Sequence, residues 1–211
     1  MSELNSERWF RLWQAATHTA PPADSYARLV AMYSEPHRHY HNLEHIEDCL
    51  NEFTAARHLA CEPIQVELAI WFHDAVYDTH AADNEERSAE WAQSWLKQAN
   101  APNALLSSVR QLVIATKSHD VKLHPDAPLL VDIDLTILGQ PPERFWRYEK
   151  QIRAEYSWVE PAIFATKRSE ILERFLARPR IYSSDLFFNR LEAQARENLR
   201  ASIQRLRGSS P

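Results

Sequence analysis

The sequence predicts an all-α protein, and three observations carry that expectation. Two glycines, Gly139 and Gly208, occur in 211 residues, too few for the tight turns of β-hairpins. No stretch sustains the alternation of a half-buried strand, whereas apolar residues recur at helical spacing through most of the chain. Hydrophobic residues make up 45% of the composition, enough for a real core, so wholesale disorder is not expected.

The first helix is expected over Glu7–Thr17, with Trp9, Phe10, Leu12 and Trp13 as its apolar stripe. Pro21 and Pro22, whose φ is already helical, are suited to launch a second through Tyr26, Leu29, Val30 and Tyr33. Residues 36–42 read as a short loop crowded with His37, Arg38, His39, Tyr40 and His41. Asn42 can cap a third helix whose apolar face includes Leu43, Ile46, Leu50 and Phe53. Pro63 starts a fourth through Val66, Leu68, Ile70, Trp71 and Phe72, expected to run on and carry His73 and Asp74.

A polar loop at residues 79–83 leads to a fifth helix, capped by Asp83 or Asn84. Glu85 and Glu86 stand in its first turn, where carboxylates suit the helix dipole. Residues 105–117 form the expected sixth, followed by a polar loop over 118–128 with His119, Asp120 and His124. Residues 129–138 are strongly apolar, interrupted by Asp132 and Asp134 and stopped by Gly139. Pro141 and Pro142 launch the helix of Phe145, Trp146, Tyr148, Ile152 and Tyr156, and two more cover roughly 159–176 and 184–206. No repeat, low-complexity tract or linker composition appears, so one domain is expected.

Composition also excludes functions. The net charge is -5 with no long basic block, which argues against double-stranded nucleic acid as a partner. No apolar run approaches the ~18 residues of a membrane helix, and Met1–Glu7 is polar and acidic, unlike a signal peptide. Cys49 and Cys61 lack CxxC spacing and are expected to be reduced, buried thiols of a cytoplasmic protein. So few glycines leave no room for a Gly-rich phosphate loop. Phosphate, if handled, must be handled by metal and cationic side chains.

The stretch Trp71-Phe72-His73-Asp74-Ala75-Val76-Tyr77-Asp78 then stands out. Two ionisable groups in an apolar run must be paired, protonated or bound to a metal. On a continuous helix Asp74 and Asp78 share a face one turn apart, with His73 and Tyr77 on the adjoining strip. Carboxylates at that spacing repel unless a cation sits nearby or one takes a proton. A divalent ion bound by imidazole and carboxylate relieves both problems. His45, His73, Asp74 and Asp134 each interrupt an apolar helical stretch and could converge on one ion, although no single spacing among them is a metal motif of the HExxH kind.

The order His…His-Asp…Asp on consecutive helices resembles the HD-domain superfamily of metal-dependent phosphohydrolases. The segments Tyr40-His41-Asn42-Leu43-Glu44-His45-Ile46, Phe72–Asp78, Asp83–Ala89 and Asp132–Gly139, with Ile152–Tyr156 and Glu192–Leu199, are similar to a bacterial group of predicted HD phosphohydrolases. The match covers nearly the whole chain. It implies a single all-helical HD-type domain over residues 1–211, with a core at about 25–140 and C-terminal helices at about 141–207 packed on it. It implies one divalent metal ion (Mn, Fe, Co, Ni, Zn or Mg) held by His45, His73, Asp74 and Asp134. Asp134 is preferred to Asp132 because HD motifs of the form Asp-x-Asp place the ligand second; Asp132 is then a solvated or capping carboxylate.

The activity implied is hydrolysis of a phosphomonoester or phosphoanhydride, with a nucleotide as the first substrate to consider. Asp78 is the leading candidate to orient or deprotonate water, and Glu85 is the second. The sequence also resembles the HD hydrolases of guanosine tetraphosphate, whose His-Asp is followed at this interval by Glu-Asp; here Tyr77 replaces the Glu. Arg38, His41, Lys117, His119 and Arg153 are the candidate phosphate-binding residues, Arg being suited to bidentate recognition. Arg153 has an alternative in an ion pair with Glu149 or Glu160. His18, His37, His39, His58, His80 and His124 are expected at the surface, and residues 145–148 in the core. The competing readings are a nucleotide-binding or sensing module with little or no turnover, and a metal-free helical scaffold.

Overall fold

The apolar spacing resolves into ten α-helices in the computed structural model, which describes residues 3–119 and 121–208. They are α1 (Ser6–Thr17), α2 (Ser25–Tyr33), α3 (Leu43–Ala56), α4 (Pro63–Phe72), α5 (Asn84–Gln98), α6 (Asn103–Ser118), α7 (Ala127–Asp134), α8 (Pro142–Glu155), α9 (Pro161–Leu176) and α10 (Asp185–Gly208). Short 3₁₀ turns follow α3 and α7, at Arg57–Leu59 and Leu135–Gly139. Among the described residues there is no strand, as the scarcity of glycine requires. Asp120, expected in the polar loop after α6, lies outside the described residues.

Two helix starts follow from their caps. Asn5 Oδ1 accepts from Arg8 N at 2.8 Å, and Asn42 Oδ1 accepts from Glu44 N at 2.9 Å, each satisfying an amide that the first turn leaves open. Pro21 and Pro22 do not open α2. That helix begins at Ser25, behind Asp24 in a left-handed conformation with φ 60°. At α5 the cap position is Asp83 without a side-chain cap bond, while Asn84 turns its amide back to the Asp78 backbone.

The chain divides into two compact units, Met1–Ile133 and Asp134–Pro211, at the last residue of α7. In the first, α4 is the central element and packs against α1, α3, α5 and α6. All seven residues from Val66 to Phe72 are buried, the mark of a helix surrounded by protein rather than lying on it. Its one charged member there, Glu67, is paired with Arg8 at 2.6 Å and Arg57 at 2.5 Å, as a buried carboxylate must be. Trp9, Trp13, Trp71, Phe72 and Trp95 form the aromatic part of this core; ring centroids are 5.5 Å apart for Trp9 and Trp71 and 5.6 Å for Phe72 and Trp95.

In the second unit α10 packs on α9 and on the 3₁₀ turn. The turn's carbonyls are taken by side chains: Tyr182 Oη donates to Leu135 O at 2.9 Å, and Asn198 Nδ2 donates to Leu138 O at 2.8 Å. Gly139 is required here because a Cβ would lie 2.6 Å from Leu191 Cβ and 2.8 Å from its carbonyl oxygen. Arg168, buried, donates to Glu149 at 2.5 Å and to the Tyr148 hydroxyl at 2.8 Å. Of the stretch 145–148 expected in the core, Phe145 and Tyr148 are buried, whereas Trp146 is half-buried and Arg147 is exposed. No helix among the described residues is long and apolar enough to cross a membrane.

Candidate metal centre

α3 brings two donors to one place. Its start is fixed by the Asn42 cap, which puts His45 in the first turn and Cys49 four residues on, along the same face. Both side chains are buried. Cys49 Sγ lies 3.8 Å from Nδ1 and from Nε2 of the His45 ring.

α4 brings the His-Asp pair, but not on a continuous helix. It stops at Phe72; the His73 amide still bonds Ala69 O at 2.8 Å, and from Asp74 the chain leaves the axis. The next helical acceptors are taken by other donors: His73 Nδ1 lies on Ile70 O at 2.9 Å, the Tyr33 hydroxyl on Trp71 O at 3.1 Å, and the Ala75 amide closes a tighter turn on Phe72 O at 3.0 Å. Arg38 then holds the departing chain, its guanidinium donating to the carbonyls of Asp74 at 2.6 Å and Ala75 at 3.1 Å. The Asp78 amide turns instead to Asn84 Oδ1 at 3.0 Å. Asp74 and Asp78 therefore do not stack one turn apart, and the sequence-based expectation of that register is corrected.

His73 Nδ1 lies 2.9 Å from Ile70 O. A carbonyl only accepts, so Nδ1 carries the proton and donates it, which turns Nε2 toward His45 and Asp74 as the ring's ligand-forming or proton-binding atom. His73 Nε2 is 3.1 Å from His45 Nε2 and 3.1 Å from Asp74 Oδ2, and His45 Nε2 is 3.5 Å from the same oxygen. Three lone-pair atoms so close need a proton or a cation among them. Tetrahedral ligands at ~2.0–2.1 Å from an ion stand ~3.3 Å apart, close to these separations. Cys49 joins this neighbourhood: one donor atom each from His45, Cys49 and His73 all lie within 4.8 Å of one another. The residues present fit a divalent ion.

Electrostatics agree with that fit. Burial alone would raise the Asp74 carboxyl. The charge of His73, hydrogen bonds from His45 and His73 and the charge of His41 outweigh it, holding the group well below the usual carboxylate range. Its side chain is 15% exposed. Tyr33, beneath the loop, is raised well above an ordinary phenol by burial first and the Asp74 charge second.

The remaining sequence candidates separate. Glu85 is half-buried in the first turn of α5; burial, and secondarily the charges of Asp74 and Glu86, raise its carboxyl against the lowering effect of its own backbone and Lys117. Asp78 is exposed and its carboxylate accepts from the His80 amide at 2.9 Å, which is a turn contact. His41 stacks on Tyr77 with ring centroids 4.3 Å apart and stands 6.0 Å from the His45 ring. Lys117 donates to Ala82 O and to Glu86, each at 2.6 Å. His119 ends α6 in a left-handed conformation, its amide bonded to Ala115 O.

Arg153 closes α8 in the second unit, donating to Tyr156 O at 2.5 Å and Val159 O at 3.0 Å under the ring of Phe164. Glu149 binds Arg168, and Glu160 caps α9 through Ile163 N, while the Arg153 charge is felt at Glu160 as a minor part of what lowers that carboxyl. Arg38 has a buried side chain that also donates to Glu35 and to His41 O, so four of its five N–H groups are engaged within the protein. It positions the ligand-bearing loop. Arg38→Ala strips donors from the Asp74 and Ala75 carbonyls, and each buried one left bare costs about 1–3 kcal/mol. A lowered denaturation midpoint is the expected result, and Arg38→Lys, which lacks the planar fork, should recover little of it.

Three readings change with the fold. Cys61 is exposed, not buried. Asp132 is fully buried, not solvated. Cys49, read only as a core thiol, faces His45; its i+4 spacing from that histidine on a capped helix was the available signal. Of the six remaining histidines, five are exposed and His124 is half-buried. No protein-family model, curated protein or solved structure matches this chain.

Proposed function

We propose that the protein is a metal-dependent phosphohydrolase of the HD type, acting on a small phosphorylated substrate, with nucleotides first among them. The observation that carries this reading is the convergence of His45 Nε2, His73 Nε2 and Asp74 Oδ2 within 3.5 Å of one another. These atoms come from two segments far apart in the sequence, the start of α3 and the end of α4, and the Asp74 side chain is 15% exposed. His45, His73, Asp74 and Asp134 would hold the ion. A bound divalent ion supplies positive charge for a phosphoryl oxygen and acidifies water near neutral pH.

The chain's own residues do the rest. Glu85, with its raised carboxyl beside Asp74, accepts a proton from water, a role that a pKa shifted toward neutrality favours. His41, fixed by its stack on Tyr77, is placed to donate to a phosphoryl oxygen. Lys117 steadies the start of α5 through Ala82 and Glu86. Arg38 holds the loop that carries Asp74.

The test is phosphate release from a panel of nucleoside mono-, di- and tetraphosphates with added manganese, cobalt or zinc. Release that a chelator abolishes is expected. Metal-dependent nucleotide binding without release would identify a sensing module, and a protein that takes up no metal would be a helical scaffold.

A further inference from the structure

We propose that Cys49 is itself a ligand of the metal centre, and that its thiolate tunes the site toward zinc or cobalt(II) over manganese or magnesium. The inference rests on reading the His45–His73 cluster as a metal centre, and is independent of whether that centre hydrolyses phosphate.

The geometry comes from α3. Residues i and i+4 of a helix point the same way, so any ion held by His45 lies on the Cys49 side of the helix. Sγ is 3.8 Å from both ring nitrogens of His45. A sulfur at ~2.3 Å and a nitrogen at ~2.0–2.1 Å around one tetrahedral ion stand ~3.6 Å apart, a separation that Sγ and Nε2 already approach; because Sγ is equally near Nδ1 it faces the ring, and joint coordination takes a turn of the Cys49 side chain toward the Nε2 edge. The same thiol lies with a donor atom each of His45 and His73 in a group spanning 4.8 Å. Buried free thiols are ordinarily inert core groups; this one has ionisable and ligand-forming neighbours. Coordination replaces the S–H bond with a sulfur–metal bond and releases the thiol proton to solvent, with no change of oxidation state. Soft thiolate beside imidazole suits zinc, cobalt and iron, whereas an all-oxygen set suits magnesium and manganese.

Cobalt(II) titration of the full-length, metal-free protein tests this. Visible ligand-field bands report that the ion is bound, and a near-ultraviolet thiolate-to-cobalt charge-transfer band reports sulfur. Wild type is expected to show both. Cys49→Ser should keep the visible bands and lose the charge-transfer band. Cys61→Ser, altering the exposed thiol, should keep both. Zinc-over-manganese preference in competition should fall about 10–100-fold in Cys49→Ser, the range found even for groups that only support a ligand. Cys49→Ala is a second folded variant for the same readings should the serine hydroxyl disturb packing. Visible bands without a charge-transfer band in wild type, or a band that survives both Cys49 substitutions, would overturn the proposal and leave the metal centre standing. No bands in wild type would remove the metal centre, and this proposal with it.

Discussion

Replacing His73 and Asp74 together by alanine is expected to empty the metal centre and reduce phosphate release to background. The two side chains supply Nε2 and Oδ2 only 3.1 Å apart. Loss of one supporting group around a ligand typically lowers metal affinity by 10–100-fold, so loss of two ligands should exceed about 100-fold. Elemental analysis of purified protein reads the occupancy, and far-ultraviolet dichroism checks that the helices persist. Removing both partners leaves no buried charge unpaired, which favours folding of the double variant over either single one. Full metal content in the double variant would sink the ligand assignment.

The second large effect separates two carboxylates. Glu85→Gln should keep the metal and lose turnover by ~10²–10⁴-fold, as removal of a general base does. Asp78→Asn should stay within a few-fold of wild type, because Asp78 is an exposed turn residue whose carboxylate bonds the His80 amide. The pH dependence follows from the direction of the Glu85 shift. Its carboxyl is raised, so the working, ionised form is lost as pH falls, beginning above the range of an ordinary glutamate. That acid limb should vanish in Glu85→Gln. A collapse in Asp78→Asn with metal retained, and none in Glu85→Gln, would return the role to Asp78.

Much of this was legible in the sequence, and the failures have physical causes. Asn42 announced the start of α3, and with it the inward face of His45, because capping is a local interaction. The apolar run through Phe72 announced a buried α4. Its end was not legible, since the Trp71 carbonyl is taken by the hydroxyl of Tyr33, 38 residues earlier in the chain. Arg38 was read as a phosphate donor for the same reason: sequence shows a cation near ligands but not the carbonyls that occupy it. Arg153 likewise spends donors on the Tyr156 and Val159 carbonyls, which no local pattern marks. Cys49 was passed over because a free cysteine among apolar residues looks like core until the histidine four residues before it is known to turn inward. The division after Ile133 falls within a helix and has no compositional mark at all.

The Arg38 clasp reaches beyond local order. One planar cation joins the segment leading into α3 to the segment leaving α4, through His41 O on one side and Asp74 O and Ala75 O on the other. The two segments that carry the histidines are thereby joined by hydrogen bonds that belong to the protein alone. In small zinc domains the ion gathers the ligands, and the apo chain is unfolded. Under the proposed function the ordering entropy would be met during folding, leaving an arriving ion its own hydration shell to exchange. Such a centre would be a preorganised receptor, expected to release and exchange its ion while the protein around it stays native.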